Sequence, residues 1–197
     1  CASCHTLITD AYGANGEVIG SLPEQMNYQE WLHSAFSKEE RSCQSCHMPA
    51  VTGPVRTSSV LGDVRDGMAQ HVFVGGNAFM VRMLNRYRDE LGVIALPSEL
   101  DATAQATMRQ LQGETATLAI SPLEMSAGQL RFSVDVRNLT GHKFPTGYPS
   151  RRSWLHVTVR NGGTVVFESG AVEPTGAIRG GDSDVDARRY EPHHETI

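Results

Sequence analysis

The sequence predicts an α+β protein, in which a first part of helices and loops is followed by a small antiparallel β-sandwich-like domain. Three observations support this prediction. Residues 1–97 are irregular and rich in glycine, with helical patches; residues 98–113 carry a single apolar stripe; and from residue 114 onward polar and apolar side chains alternate between Gly and Pro turns. We therefore expect three segments, at residues 1–97, 98–113 and 114–197, the last of them incomplete.

Three helices are predicted, and each has its own sequence signal. The connecting helix is expected to be capped by Ser98, with Asp101 at the third helical position, and to end at Gly113. A second helix is expected to run through residues 23–47 toward the second cysteine motif, with one apolar side. A third is expected over residues 77–92, because an asparagine can cap its start and a glycine can close it.

The strands of the last part are predicted from alternation at period two. This pattern occurs in "ATLAIS", "QLRFSVDVRN", "SWLHVTVRN" and "TVVFESG". The letters "NGG" separate the last two stretches and favour a hairpin turn. Together these signals indicate part of an antiparallel sandwich.

Composition limits the classes of function. The 197 residues are 40% hydrophobic and 20% charged, as expected for an ordinary globular chain. The net charge of −5 argues against nucleic acid as a partner, because phosphate binding requires a basic surface. No stretch approaches the roughly 18 consecutive apolar residues of a membrane span, so none is predicted.

All four cysteines lie in two copies of one pattern, "CASCH" at residues 1–5 and "CQSCH" at residues 43–47. Cysteine pairs at this spacing are compatible with covalent haem attachment, a four-cysteine zinc site or redox-active dithiols. The histidine after each pair favours haem, because two thiols form thioether bonds to the ring and the adjacent imidazole reaches the iron. Two covalent c-type haems are therefore predicted. Their attachment residues and proximal ligands are Cys1, Cys4, His5, Cys43, Cys46 and His47.

Each iron also needs a distal ligand, and six further histidines are available. His71 lies in a loop before a helix start, where its imidazole can project freely. His142 lies in "NLTGHKFPTGYPSRR", where glycines and prolines fix the backbone. We expect both to be distal ligands, although a turn histidine without a ligand role is the alternative for His142. The roles of the others stay open: His33, His156, His193 and His194.

Three basic residues, Lys143, Arg151 and Arg152, flank His142 in the sequence. Each haem carries two propionates, and cations of this kind can bind them through charge-assisted hydrogen bonds. An exposed basic turn is the alternative interpretation. We expect the three side chains to bind the haem.

Several strings together resemble exported multihaem c-type cytochromes, of the broad group that includes the tetrahaem c554-like proteins. They are "CQSCHMP", "GGNAFMVRML", "GHKFPTGYPSRR", "VVFESG" and "EPHHETI". The resemblance implies haem-packed helices and loops joined to a small β-domain, with histidine on both faces of the irons. It also implies His71 and His142 as distal ligands and His193 as a third. Such proteins carry further haem motifs, so we expect this chain to be part of a longer protein whose other haems use some of these histidines.

The expected function is outer-sphere electron transfer. An iron ligated by two histidines has no open position and a lower potential than one ligated by histidine and methionine. This suits low-potential anaerobic or extracellular respiration, with other redox proteins or cytochromes as electron donor and acceptor. Covalent haem attachment also predicts an exported bacterial or archaeal protein of the periplasm or the cell exterior.

Two alternatives come from other classes of protein. A catalytic multihaem oxidoreductase of the nitrite or hydroxylamine type would leave one haem face open, with Tyr148, Arg152 and His156 as candidate pocket residues. A subunit of an extracellular cytochrome filament or complex would use free strand edges, predicted at residues 114–120 and 163–169.

Overall fold

The computed structural model of the chain describes residues 1–148, 151–174 and 176–179. This part of the chain contains short helices and small antiparallel sheets, which confirms the predicted α+β class. The chain divides into two compact units, Cys1–Arg151 and Arg152–Ile197. Both cysteine motifs belong to the first unit.

The described residues form five helices, most of them only one or two turns long. They are α1 (Asn27–Leu32), α2 (Ala35–Lys38), α3 (Cys43–His47), α4 (Ala78–Arg86) and α5 (Pro97–Gly113). Helices this short depend on tertiary contacts for their stability, because helix nucleation is costly. Helices α1 to α3 therefore depend on contacts with other parts of the chain.

The described strands pair into two-stranded antiparallel sheets. The pairs are β1 (Leu7–Tyr12) with β2 (Val18–Gln25), β3 (Val55–Arg56) with β4 (Val64–Arg65), β5 (Ala116–Ile120) with β8 (Val134–Asn138), β6 (Glu124–Ser126) with β7 (Gln129–Arg131), and β9 (Val157–Asn161) with β10 (Thr164–Ser169). The hairpin of β9 and β10 turns through Gly162, whose φ is 57°. The predicted "NGG" hairpin is thus confirmed.

The hairpin of β1 and β2 lies in a part of the chain where only helices and loops were expected, so that expectation is wrong here. Its turn contains Asn15 and Gly16, and Gly16 has a φ of 80°, a conformation that glycine adopts without strain. Strand β2 does not alternate between buried and exposed residues, and its apolar side chains Ile19 and Leu22 are exposed. The Asn-Gly pair was the available hairpin signal.

The single helix expected over residues 23–47 is also wrong, because the structure divides it into α1, α2 and α3. Ser34 interrupts it: its hydroxyl accepts the Phe36 amide at 3.1 Å and caps a new helix. A second interruption follows at Glu40, where φ is 56°. Serines in such positions compete with the helix by bonding to nearby backbone.

Helix α4 begins where the sequence predicts. The side chain of Asn77 accepts the Met80 amide at 3.0 Å, which confirms the predicted cap. The helix ends at Arg86, and turns continue to Gly92, whose φ is 62°.

Helix α5 packs on α4 and begins at Pro97, one residue before the predicted cap. Proline suits a first helical position because its φ is already helical and its missing N–H costs no bond there. Glu99 accepts the backbone N–H of Leu96 at 2.9 Å and so completes the first turn. Asp101, which was expected in that role, instead accepts the Asn85 side chain of α4 at 2.8 Å.

The described residues bury few apolar side chains. Val74, Ala78 and Ala104 are the buried hydrophobic ones. Many large apolar side chains are exposed, including Phe73 at 63% and Phe79 at 73%. Globular chains of this size normally bury most of their apolar side chains. The described residues therefore provide only a small core of their own.

Candidate functional site

The second cysteine motif forms helix α3. Its residues Cys43 and Cys46 are three apart and lie on one face of the helix, and His47 follows directly. Both cysteines are free thiols and partly buried. One helical turn therefore presents two thiols and an imidazole together, as covalent haem attachment requires.

The imidazole of His47 is oriented by the backbone of Val74. Its Nδ1 donates a hydrogen bond to the Val74 carbonyl, and the Val74 amide donates back to the His47 carbonyl at 3.1 Å. Val74 itself is buried. A carbonyl can only accept, so the proton lies on Nδ1 and the lone pair of Nε2 is available to a metal. This is the arrangement found for metal-bound histidines.

His142 lies opposite His47. The centroids of the two rings are 6.2 Å apart and their planes differ by 15°. The Nδ1 of His142 donates to the Lys143 carbonyl at 2.9 Å, so its Nε2 also carries a free lone pair. Both imidazoles are thus in the tautomer that binds a metal through Nε2.

The separation of the two rings fits one iron between them. Two imidazoles that bind one metal through nitrogen each lie about 2 Å from it, so their ring centres are several ångströms apart. The observed separation is 6.2 Å. The residues present therefore fit a haem attached at Cys43 and Cys46.

Local hydrogen bonds fix the loop that carries His142. The His142 carbonyl accepts the side chains of Asn138 and Thr140, each at 2.7 Å. Asn138 in turn accepts the Thr140 amide at 2.9 Å. Asn138 ends strand β8, so the ligand loop is tied to the sheet that precedes it. The rigidity expected of this loop is therefore supported by named bonds.

Glu30 on α1 holds the same loop from the other side. One carboxylate oxygen, Oε2, accepts the Lys143 amide at 3.0 Å and the Thr146 hydroxyl at 2.5 Å. These two bonds bracket the residues directly after His142. Glu30 has no signal in the sequence, since it is more than 110 residues away from the loop and no local motif marks it.

Gly141 allows the loop to approach α1 and α2 closely. A Cβ at this position would lie 2.7 Å from Cδ2 of Phe36 and 3.3 Å from Cδ1 of Trp31. The first of these distances is too short for real side chains, so glycine is required for this contact. Trp31 is held in turn by a hydrogen bond from its indole to the Arg41 carbonyl at 2.8 Å.

The first cysteine motif forms a single turn at the start of the chain. The amides of Cys4 and His5 both donate to the Cys1 carbonyl, at 3.1 and 2.9 Å. The three side chains are exposed. The next residue, Thr6, contacts Gln29 of α1 at 3.4 Å, and β1 follows directly.

The other candidate distal ligands differ in their surroundings. His71 is exposed, and its ring stacks on Phe73 at 5.7 Å, on the segment that also supports His47. His193 and His194 lie outside the described residues, so the prediction for His193 is untested. His156 belongs to the second unit, where its Nε2 lies 3.1 Å from Glu168.

The three basic residues predicted to bind propionates have separate neighbours. Lys143 follows the ligand His142, and Arg151 donates to the Thr146 carbonyl at 3.1 Å. Lys143 and Arg151 both line a cavity beside α1. Arg152 lies in the second unit, with its guanidinium 5.9 Å from the Trp154 ring centre.

The zinc alternative requires the four thiols to converge. Within the described part of the chain, which includes every cysteine, no three His, Cys, Asp or Glu side chains form a metal-ligating group. The thiols therefore do not form a four-cysteine site here. A haem iron takes only two protein ligands, as the facing histidines can supply.

Comparisons with protein-family models, with curated proteins and with solved structures gave no match. Among the helices of the described ranges, none has the length and apolar character needed to cross a membrane. The function is therefore inferred from the geometry of the chain itself.

Proposed function

We propose that this protein is a multihaem c-type cytochrome that transfers electrons through haems ligated by histidine on both faces. The observation that carries this proposal is the pair of facing imidazoles, His47 and His142, beside the thiols of Cys43 and Cys46. The ring separation of 6.2 Å and the Nδ1 bonds of both rings are consistent with both imidazoles binding one iron.

Each residue of this site has a distinct task. Cys43 and Cys46 would hold the haem covalently, and His47 and His142 would bind its iron. A bound haem supplies a one-electron iron couple whose potential depends on its axial ligands. The chain keeps both imidazoles in place through backbone carbonyls. Because the ligands are held rigidly, the site can change its oxidation state with little rearrangement of the protein.

A second haem is proposed at Cys1, Cys4 and His5 on the strength of the repeated motif. His71 remains a distal ligand predicted from the sequence and His193 one implied by the resemblance, and neither prediction is tied to a particular haem. Propionate binding by Lys143, Arg151 and Arg152 also remains a prediction.

We further propose that the protein resembles the exported, tetrahaem c554-like cytochromes in architecture. The first part would then be packed around haems, and the strands after residue 114 would form a β-sandwich-like domain. The scarcity of buried apolar side chains supports the first of these statements. The protein would work in the periplasm or outside the cell, with other redox proteins as donor and acceptor.

The facing histidines favour electron transfer over the catalytic alternative. An oxidoreductase of the nitrite or hydroxylamine type needs an open haem face, and a haem bound by both His47 and His142 would have none. Of the pocket residues considered for catalysis, His156 has Glu168 and Thr158 as neighbours of its Nε2. Neither observation favours a substrate pocket.

Intact mass and absorption spectroscopy test the proposal. The mass under denaturing conditions should exceed that of the polypeptide by one haem for every cysteine motif, and acid-acetone should fail to extract the pigment. The ferric spectrum should be low-spin and unchanged by cyanide, and the ferrous form should bind no carbon monoxide. Extractable pigment, or zinc in place of iron, would overturn the proposal. A high-spin spectrum with ligand-induced shifts would favour catalysis.

A further inference from the structure

We propose that His33 is the distal ligand of the haem attached at Cys1 and Cys4, and that the cavity between α1 and the loop of residues 143–148 holds this haem. This inference rests on the proposed function, because it requires haem at the first motif. It assigns a role to a histidine whose function the sequence left open.

The first observation is the hydrogen bonding of His33. Its Nδ1 lies 2.7 Å from the Gln29 carbonyl, one helical turn earlier on α1. The bonded carbonyl fixes the proton on Nδ1 and leaves the Nε2 lone pair free. His47 and His142 have the same arrangement, in which a backbone carbonyl orients the ring. His33 is therefore prepared for metal binding in the same way as the facing pair.

The second observation is the cavity that His33 lines, whose volume is about 580 Å³. This is within the range of roughly 300–1,000 Å³ typical of small-molecule and cofactor sites. Pro23, Met26 and Pro145 supply apolar walls, and Lys143 and Arg151 supply cations. An apolar wall, two cations and one imidazole match the needs of a haem: a ring face, two propionates and an iron.

The acidic groups that face the cavity do not remove this match. Glu24 and Glu30 both line it. The Oε2 atom of Glu30 already accepts the Lys143 amide and the Thr146 hydroxyl, so its charge is partly compensated by donors. Lys143 and Arg151 can therefore still bind a carboxylate group of a ligand in the cavity.

The third observation is the position of the first motif. Strand β1 starts two residues after His5, and its first residues pair with Gln25 and Pro23 at the end of β2. Thr6 also contacts Gln29, and both Pro23 and Gln29 line the cavity. The chain therefore brings the first motif to the cavity that His33 lines. The contact seen for His71, with Phe73, lies instead on the segment that supports the second motif.

Carbon monoxide binding to the reduced, haem-loaded protein tests the assignment. A haem with two histidine ligands binds none, whereas a haem that has lost one ligand binds one molecule. His33→Ala should raise the number of carbon monoxide molecules bound per protein by one while leaving the covalent haem content unchanged. The control is His156→Ala, which should add none. The added binding should disappear when His33→Ala is combined with Cys1→Ser and Cys4→Ser.

A second variant separates ligation from a folding defect. His33→Met should keep every iron low-spin and raise the reduction potential of one haem, because a thioether stabilises ferrous iron. The inference would be overturned if His33→Ala bound no additional carbon monoxide, or if the additional binding persisted without Cys1 and Cys4. Either result would not affect the proposal that His47 and His142 bind one iron. A gain in His71→Ala in place of His33→Ala would also overturn it. A parent protein without covalent haem would overturn the proposed function itself.

Discussion

The second cysteine motif is a short helix supported by two other parts of the chain, whereas the first is a single exposed turn at the edge of a hairpin. The two share the pattern of cysteines and histidine, but only His47 has a histidine ring facing it among the described contacts. His47 is also clamped by the backbone of Val74. The motif itself therefore predicts attachment chemistry, and its surroundings determine how firmly its histidine is held.

Removing each cysteine pair in turn is the strongest test of this difference. Cys43→Ser with Cys46→Ser should cost more stability than Cys1→Ser with Cys4→Ser, because more of the fold is organised around the second motif. We expect the free energy of unfolding to fall by about 3–5 kcal/mol, or Tm by about 10 °C, when the second motif is removed. Removal of the first motif should cost about half of that. Thermal unfolding measures the loss, and intact mass confirms that one haem is missing from each variant. Equal losses would contradict the comparison.

Replacing the facing histidine should open the second site without detaching its haem. His142→Ala removes an axial ligand but leaves the thioether bonds, so a high-spin signal should appear at unchanged haem mass. We expect a stability loss of about 2–3 kcal/mol, as for other disrupted partly buried contacts. Electron paramagnetic resonance and denaturant unfolding measure the two effects. His156→Ala is the matched control, and an unchanged low-spin spectrum in His142→Ala would show that the facing pair does not ligate iron.

A smaller change tests how the loop is held in place. Gly141→Ala adds a Cβ that meets Phe36 at 2.7 Å, so the loop must shift away from α1 and α2. We expect a loss of about 2 kcal/mol, typical of overpacking, together with a partial high-spin signal. Gly20→Ala is the control, because nothing lies within 4 Å of its added Cβ. If both variants behaved alike, close approach at Gly141 would not matter for ligation.

The smallest expected effect concerns Glu30. Glu30→Ala removes the acceptor of the Lys143 and Thr146 bonds and should cost about 1 kcal/mol. The reduction potential of the haem at Cys43 and Cys46 should also change, because the imidazole of His142 is less firmly oriented. Glu30→Gln keeps an acceptor oxygen and should restore most of both properties, whereas Glu39→Ala should alter neither. A stability loss with an unaltered potential would assign Glu30 a structural role only.

The predictions that depend on residues close together in the sequence are the ones that the structure confirms. The Asn77 cap and the "NGG" hairpin were predicted correctly because each depends on residues a few positions apart. The prediction of one long helix over residues 23–47 was wrong. It relied on apolar spacing, whereas the structure interrupts the helix at Ser34 and Glu40. The stiff loop around His142 indicated a ligand. The sequence could not predict that His47 would be its neighbour, since 95 positions separate the two residues.

The sequence by itself was enough to predict covalent haem attachment, because two thiols and an imidazole within five residues need only one helical turn to act together. It also determined the α+β class, because both helical and strand periodicities are local. Only the tertiary structure decided that His142 faces His47, that Glu30 and Gly141 hold the ligand loop, and that His33 lines a cavity. These contacts join distant parts of the chain, and they form only when packing and hydrogen bonding bring those parts together.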